Sequence, residues 1–197
     1  MFNHISEKIT ENMVTNGTVV KEDKEIYLFG IQQGLVLILN LFTTVVVSLI
    51  FKNTWQMFTF MLAYILLRSF AGGYHAKTAK KCYAFSILLL IIISLVLKYI
   101  KINAYIFFIS LFISSIVIFL LSPVDNKNRN LDILEKRVFR KITIVILIFE
   151  VAIAVFSLHF NLFGIAISLF CSPVICAILL ILGKVENKFF SKTEKIK

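Results

Sequence analysis

Residues 104–121, AYIFFISLFISSIVIFLL, form a long run without a charged side chain. Further apolar segments predict membrane spans near residues 28–50, 55–70, 83–98, 142–158 and 162–182. A helix needs about 20 mostly apolar residues to cross a bilayer, and segments of this kind predict transmembrane helices. Their apolar residues do not alternate with polar ones, as the strands of a membrane barrel would. The sequence therefore predicts an all-α, polytopic integral membrane protein with about six transmembrane helices.

The composition supports the same class. Hydrophobic residues make up 59% of the 197 residues, and the mean hydropathy is +0.90. A soluble domain of this size would have too little polar surface to cover itself, whereas a bilayer tolerates an apolar exterior. We predict one membrane domain over residues 1–197. The charged first 27 residues have no apolar core of the signal-peptide type, and no cleaved leader is predicted.

Segment 55–70 is short for a span, and a re-entrant segment is the alternative. Charge counting favours six spans. With both termini in the cytoplasm, the internal regions hold eighteen Lys and Arg residues and the external turns hold three. This agrees with the excess of positive charge on cytoplasmic loops, and a re-entrant segment would destroy it. We predict a multi-pass protein of the cell membrane with both termini cytoplasmic.

The net charge of +10 is explained by this topology and by contact with anionic lipid. No basic patch interleaved with aromatic residues exists outside the spans, so we expect no nucleic-acid partner. The regions flanking the spans are a cytoplasmic N-terminus, residues 1–27, and a basic cytoplasmic tail, residues 183–197. In the first, apolar residues at helical spacing predict an amphipathic helix lying in the membrane interface. These residues are Phe2, Ile5, Ile9 and Met13.

Residues 68–82, RSFAGGYHAKTAKKC, form a polar, basic island between two apolar segments. Thiolate chemistry needs a cysteine, a nearby base and a positive potential, and this island offers Cys82, His75 and several cations. On an unbroken helix, residues seven apart would be separated by about 10.5 Å along the axis. Proton transfer requires about 3 Å or one bridging water. A catalytic pair therefore predicts a break in the helix, which Gly72-Gly73 can supply. The alternative is an interfacial loop that solvates lipid headgroups, with Cys82 capping a helix.

Glu150 is a carboxyl group in the middle of segment 142–158. An acid inside the membrane is costly and is a functional candidate by default. It is predicted to orient a histidine, to pair with a cation such as Arg68, or to be protonated. Structural pairing is favoured over direct catalysis.

Loop 122–130, SPVDNKNRN, is rich in turn-forming and hydrogen-bonding residues. It is either a solvated connector or, on the cytoplasmic side with Cys82, a substrate-binding segment in which Asp125 orients His75. Cys171 and Cys176 are five residues apart, do not share a helix face and are predicted to be structural. Because the chain has no Cys-x-x-Cys and no His-Glu-x-x-His, we expect no metal and no cofactor.

Arg68, Gly72, Gly73, His75 and Cys82, with the six-residue gap between His and Cys, resemble the motif of the AgrB family. The resemblance extends to the length of the chain, the amphipathic N-terminus and the proline-containing loop at residues 122–127. AgrB proteins are membrane cysteine endopeptidases that mature quorum-sensing peptides. The resemblance implies that His75 and Cys82 are the catalytic pair. The candidate supporting residues are Arg68, Gly72, Gly73, Asp125 and Glu150.

By the same resemblance, the substrate is an AgrD-like propeptide with an amphipathic leader and an acidic C-terminal tail. Tail removal through an acyl-enzyme thioester would lead to a cyclic thiolactone or lactone. The candidate substrate-binding residues are cations that would attract the tail: Lys77, Lys80, Lys81, Lys127 and Arg129. The bilayer, and a second copy of the chain in a homodimer, are further candidate partners.

Two other functions remain open from the residues alone. A secondary transporter or permease of a small or peptidic solute would use Glu150 and Arg68 in its pathway. A non-catalytic membrane interaction protein is the third alternative.

Overall fold

The computed structural model describes residues 2–74, 78–100, 103–124 and 132–194, which fold as helices without a β-strand. The predicted all-α class is confirmed. A short 3-10 helix, Lys21–Asp23, precedes the second of seven α-helices. The α-helices are α1 Phe2–Thr15, α2 Lys24–Phe51, α3 Thr54–Ala71, α4 Ala79–Tyr99, α5 Ala104–Leu121, α6 Ile133–His159 and α7 Phe163–Glu194.

Five helices in the described part of the chain are long and apolar enough to cross a membrane. They are the stretches Lys21–Phe51, Lys80–Tyr99, Ala104–Leu121, Ile133–His159 and Phe163–Lys188. The remaining long helix, α3, carries the polar side chains of Gln56 and Arg68. The predicted number of six spans is therefore not confirmed.

Helix α3 nevertheless runs beside α7 and in the same direction. The starts of the two helices are in contact: a Cβ built on Gly164 of α7 would lie 3.1 Å from Nε2 of Gln56 in the first turn of α3. Just beyond its end, the amide of Tyr74 donates a hydrogen bond of 2.8 Å to the carbonyl of Leu179 in α7. The eighteen residues of α3 are about 27 Å long, close to the thickness of a hydrocarbon core. This length and arrangement are compatible with a spanning α3, which stays a prediction.

Helices α3, α5, α6 and α7 pack together. The end of α5 reaches the end of α3, where Val124 N donates to Ala71 O at 3.0 Å. The rings of Phe70 and Phe139 meet edge to face, so α6 begins at the same end of this bundle. Its buried cluster consists of Leu67, Ala71, Ile118, Val124, Leu147, Cys176, Ala177 and Leu180. Small residues in such a cluster let helices approach closely in a membrane, where packing drives association.

The chain divides into two compact units, residues 1–47 with 76–91 and residues 48–75 with 92–197. The second unit contains the bundle just described and the turn that joins α2 to α3. In the first unit, Thr43 Oγ1 and Tyr83 OH share a hydrogen bond of 2.7 Å, which links α2 with α4. Asn40 Nδ2 donates to Ser86 Oγ at 3.4 Å between the same helices. Polar pairs of this kind hold membrane helices together.

Helix α1 is present in the predicted N-terminal region. It buries the small polar side chains of Ser6 and Thr10 and leaves those of Ile5 and Ile9 exposed. An ion pair between Glu11 and Lys24, with atoms 3.4 Å apart, links it to α2. The exposed isoleucines are compatible with the predicted interfacial helix, whose place in the membrane interface stays a prediction.

Candidate active site

The helix break predicted at the glycine pair is present. Helix α3 ends at Ala71, and Gly72 and Gly73 have φ angles of 72° and 118°. Residues with a Cβ rarely adopt such values, which is why glycine occupies both positions. Helix α4 begins only at Ala79. Arg68 and Cys82 are therefore not on one continuous helix.

Gly72 lies directly against the segment that follows α5. The two chains form an isolated parallel bridge between Gly72 and Val124. A Cβ at Gly72 would lie 2.2 Å from the Val124 carbonyl oxygen, which is inside the contact limit for any atom pair. The proline-containing loop thus begins beside the glycine pair, as a site formed by both motifs requires.

Arg68 reaches forward from the last turn of α3 to the loop. Its Nη2 donates a hydrogen bond to the carbonyl of Tyr74. Its buried Nη1 has no hydrogen-bond acceptor among the described residues. The guanidinium group thereby fixes the backbone of the residue immediately before His75.

Among the described residues, Glu150 forms no ion pair with Arg68, and its hydrogen-bond partner is Ser172 instead. Glu150 is 6% exposed, and its Oε2 accepts a hydrogen bond of 3.1 Å from Ser172 Oγ. The sequence revealed the cost of a buried carboxyl group but not the rotation of α6 and α7, which selects its partner. Cys171 and Cys176 are buried free thiols on α7, compatible with a structural role.

Cys82 lies in the first turn of α4, half-buried. Helix α4 begins immediately after Thr78. The Thr78 hydroxyl accepts a hydrogen bond of 3.3 Å from Lys81 N, and the Thr78 carbonyl accepts one of 2.9 Å from Cys82 N. Thr78 is therefore the capping residue, and Cys82 is not. A threonine before a helical run is a recognisable N-cap signal that the sequence analysis missed. Cys82 therefore lies near the N-terminal, positive end of α4.

Lys80 and Lys81 are exposed in the same first turn. Cations are unfavourable at the N-terminus of a helix, where carboxylates are the stabilising choice. Two adjacent lysines there oppose helix stability and increase the positive potential around Cys82.

Five predicted site residues lie outside the described residues, namely His75, Lys77, Asp125, Lys127 and Arg129. The distance between His75 and Cys82 therefore stays a prediction. The sequence analysis also missed Leu179 and Gly183 on α7, which contact Gly73 and Tyr74. No local signal marked them, because they are separated from the glycine pair by more than a hundred residues.

Comparison with known proteins agrees with this arrangement. The family model of accessory gene regulator B, AgrB, matches residues 6–182. Comparison with curated proteins and with solved structures gave no match. Because the match covers most of the chain and includes the glycine pair, Cys82 and the loop after α5, this chain belongs to the AgrB family.

Proposed function

We propose that this protein is a membrane cysteine endopeptidase that removes the C-terminal tail of an AgrD-like propeptide and promotes its cyclisation. The observation that carries the proposal is the position of Cys82. It is a half-buried thiol in the first turn of α4, beside two exposed lysines and seven residues after a histidine.

Family membership and five apolar helices indicate a multi-pass membrane protein with a role in processing quorum-sensing propeptides. The reaction type is our inference from the residues. The catalytic pair we infer is Cys82 and His75. The helix break before His75 supports this pair because residues 75 and 82 are then not bound to the spacing of one straight helix.

In the proposed reaction, His75 takes the proton from the thiol, and Cys82 Sγ attacks the scissile carbonyl carbon of the propeptide. The peptide C–N bond then breaks. The tail leaves as an amine that receives the proton from His75, and the remaining peptide stays on Cys82 as a thioester.

A cysteine of the propeptide then attacks this thioester. Its proton passes through His75 to the Cys82 sulfur, and the peptide leaves as a thiolactone ring. One thioester replaces another, so this step leaves the type of bond unchanged and loses little free energy. Attack by a serine hydroxyl would give a lactone in the same way. Exclusion of water at a membrane-edge site would protect the acyl-enzyme from hydrolysis.

The supporting residues act on the loop before His75. Arg68 holds the Tyr74 carbonyl, and Gly72 and Gly73 permit the backbone to turn there. We further propose that Asp125 orients His75. Glu150 is bonded to Ser172, which supports a role in holding α6 and α7 together.

The cations of the site would attract the acidic tail of the substrate. Lys80 and Lys81 are the exposed members of this group in the described residues, and Lys77, Lys127 and Arg129 are the proposed others. Because acidic tails and basic loops meet by electrostatic attraction, salt should weaken substrate capture.

We also propose that both termini and the active site face the cytoplasm. A membrane-impermeant thiol reagent applied to whole cells should label a cysteine introduced at Asn103 or Lys52, both of which are exposed. It should not label one introduced at Asn126. Labelling at Asn126 alone would place the active site on the outer side.

The central experiment co-expresses the chain with its propeptide and follows tail removal by mass spectrometry. Cys82→Ala should abolish tail removal, and Cys82→Ser should trap or strongly slow the acyl step. Cys171→Ala is the matched control, because that thiol is buried in α7. Normal processing by the Cys82→Ala protein would exclude the cysteine endopeptidase.

A further inference from the structure

Gly183 lies on α7 at a point where the loop after α3 crosses the helix. A Cβ at this position would lie 2.6 Å from Tyr74 N and 2.7 Å from the Gly73 carbonyl carbon. Both neighbours are backbone atoms and cannot rotate away. Any residue other than glycine would therefore push the loop and the helix apart. Gly183 lies one residue beyond the region that matches the AgrB family model.

The close approach at Gly183 lies beside the hydrogen bond between Tyr74 and Leu179. In an α-helix the amide of residue 183 bonds to the carbonyl of residue 179, and a side chain leans toward the N-terminus over that carbonyl. The Leu179 carbonyl is also the acceptor for the Tyr74 amide at 2.8 Å. A side chain on residue 183 would cover the oxygen to which the loop is bonded.

Tyr74 is thereby held on both sides of its backbone. Its amide donates to Leu179, and its carbonyl accepts from Arg68 Nη2. Two residues earlier, Gly72 pairs with Val124. These contacts fix the backbone of Gly72–Tyr74 from three separate elements of the same compact unit, immediately before His75.

We propose that Gly183 is a positioning residue for His75, acting through the Tyr74 backbone. This inference rests on the proposed function, in which His75 is the base for Cys82. Gly183 touches neither the substrate nor the reacting atoms. Because Gly183 has no side chain, α7 can approach the loop closely enough to hold it in one conformation.

The test compares Gly183→Ala with Gly164→Ala, a substitution on the same helix. The Cβ at residue 164 would meet only the side chain of Gln56, which can move. We expect both proteins to insert into the membrane in equal amounts. Tail removal by Gly183→Ala should show a kcat lower by about 100-fold, because small displacements at a reacting centre have effects of this size, with KM nearly unchanged. Gly164→Ala should process the propeptide like the wild type.

A second readout separates positioning from a general structural role. Alkylation of Cys82, located by peptide mass spectrometry, is followed as a function of pH in wild type, His75→Ala and Gly183→Ala. We expect both variants to shift the pH dependence of alkylation toward that of an ordinary thiol. Gly164→Ala should not shift it. Alkylation of Gly183→Ala with the wild-type pH dependence would overturn the inference.

A third measurement decides the case if Gly183→Ala fails to accumulate. In the wild-type protein, the Tyr74 amide should exchange with deuterium at least tenfold more slowly than an unstructured amide, because Leu179 accepts its hydrogen bond. Unprotected exchange at Tyr74 would overturn the positioning role. If His75→Ala itself leaves Cys82 alkylation unchanged, the proposed catalytic pair fails, and slow Tyr74 exchange would still establish the contact with α7.

Discussion

The two ends of α3 are constructed differently. At its start, the turn after α2 is local: Asn53 N bonds to Ser48 O at 3.0 Å, and Lys52 takes up the left-handed conformation. At its end, the loop Gly72–Tyr74 is bonded to Val124 and Leu179, residues far along the chain. A local turn needs only to connect two helices. A loop bonded through its backbone to distant parts of the chain is held in one conformation and sets the direction of the following residue.

The variant with the largest expected effect tests whether the C-terminal end of α3, with the loop Gly72–Tyr74, belongs to a catalytic site. Cys82→Ala should eliminate detectable tail removal, because the proposed nucleophile is lost and the other two thiols, Cys171 and Cys176, are buried. The amount of protein in the membrane should stay unchanged. The measurement is mass spectrometry of the co-expressed propeptide. Cys176→Ala serves as a control for the general loss of a thiol. Cleavage by the Cys82→Ala protein at the wild-type rate would contradict the proposal.

The next prediction disturbs the loop without touching a reacting group. Gly73→Val should reduce cleavage by about 100-fold. Its Cβ would lie 2.9 Å from both Arg68 Nη1 and Leu179 O, and a β-branched residue does not tolerate a φ of 118°. Initial rates at saturating propeptide measure the effect.

Gly34→Val is the matched control for this substitution, because nothing lies within 4 Å of a Cβ there. If Gly73→Val cleaves as fast as Gly34→Val, the loop conformation is irrelevant to catalysis.

A smaller effect is expected from Thr78→Ala. Loss of an N-cap costs about 1 kcal/mol of helix stability, and fraying of the first turn of α4 would displace Cys82 in part of the molecules. We expect the cleavage rate to fall by at most about fivefold, because a loss of about 1 kcal/mol changes the equilibrium for fraying by that factor. Thr78→Ser should retain the wild-type rate because its hydroxyl can still cap. Equal rates for the alanine and serine variants would show that the cap is unimportant.

The smallest effect on activity is expected at the opposite end of α3. Asn53→Ala removes a hydrogen bond of 3.2 Å from Asn53 Nδ2 to Ser94 O. We expect it to lower the stability of the folded protein by about 0.6 kcal/mol, the average for hydrogen bonds between membrane helices, and by no more than about 1.7 kcal/mol. Denaturation in detergent measures this change. The kcat of the folded fraction should stay at the wild-type value, and a large fall in kcat would mean that the two ends are coupled.

Sequence reasoning predicted features that depend on local chemistry. Apolar runs revealed the helices, and Gly72-Gly73 revealed the break, because hydropathy and φ preference are properties of single residues. It also placed the start of α4 too late, since the helix begins at Ala79, four residues before the predicted segment 83–98, and is capped by Thr78. In the same way, α6 begins at Ile133, nine residues before the predicted span 142–158.

Contacts between distant residues were not predictable in this way. The bond from Tyr74 to Leu179 depends on where α7 passes the loop, and the sequence carries no mark of it. Gly183 resembled an ordinary residue at the end of a span. The partner of Glu150 was also decided by helix rotation, which placed Ser172 beside it. Such pairings depend on the packing of whole helices and not on the residues near them in the sequence.

The distance along the chain between Tyr74 and Leu179 has a consequence for synthesis. A ribosome adds about 5–20 residues per second, so the loop is made roughly 5–20 s before the helix that accepts its hydrogen bond. Until α7 has entered the membrane, the Tyr74 amide has no Leu179 carbonyl to bond with. A nascent chain therefore carries Cys82 before the loop is fixed, and on the proposed function proteolytic competence would arrive only with α7.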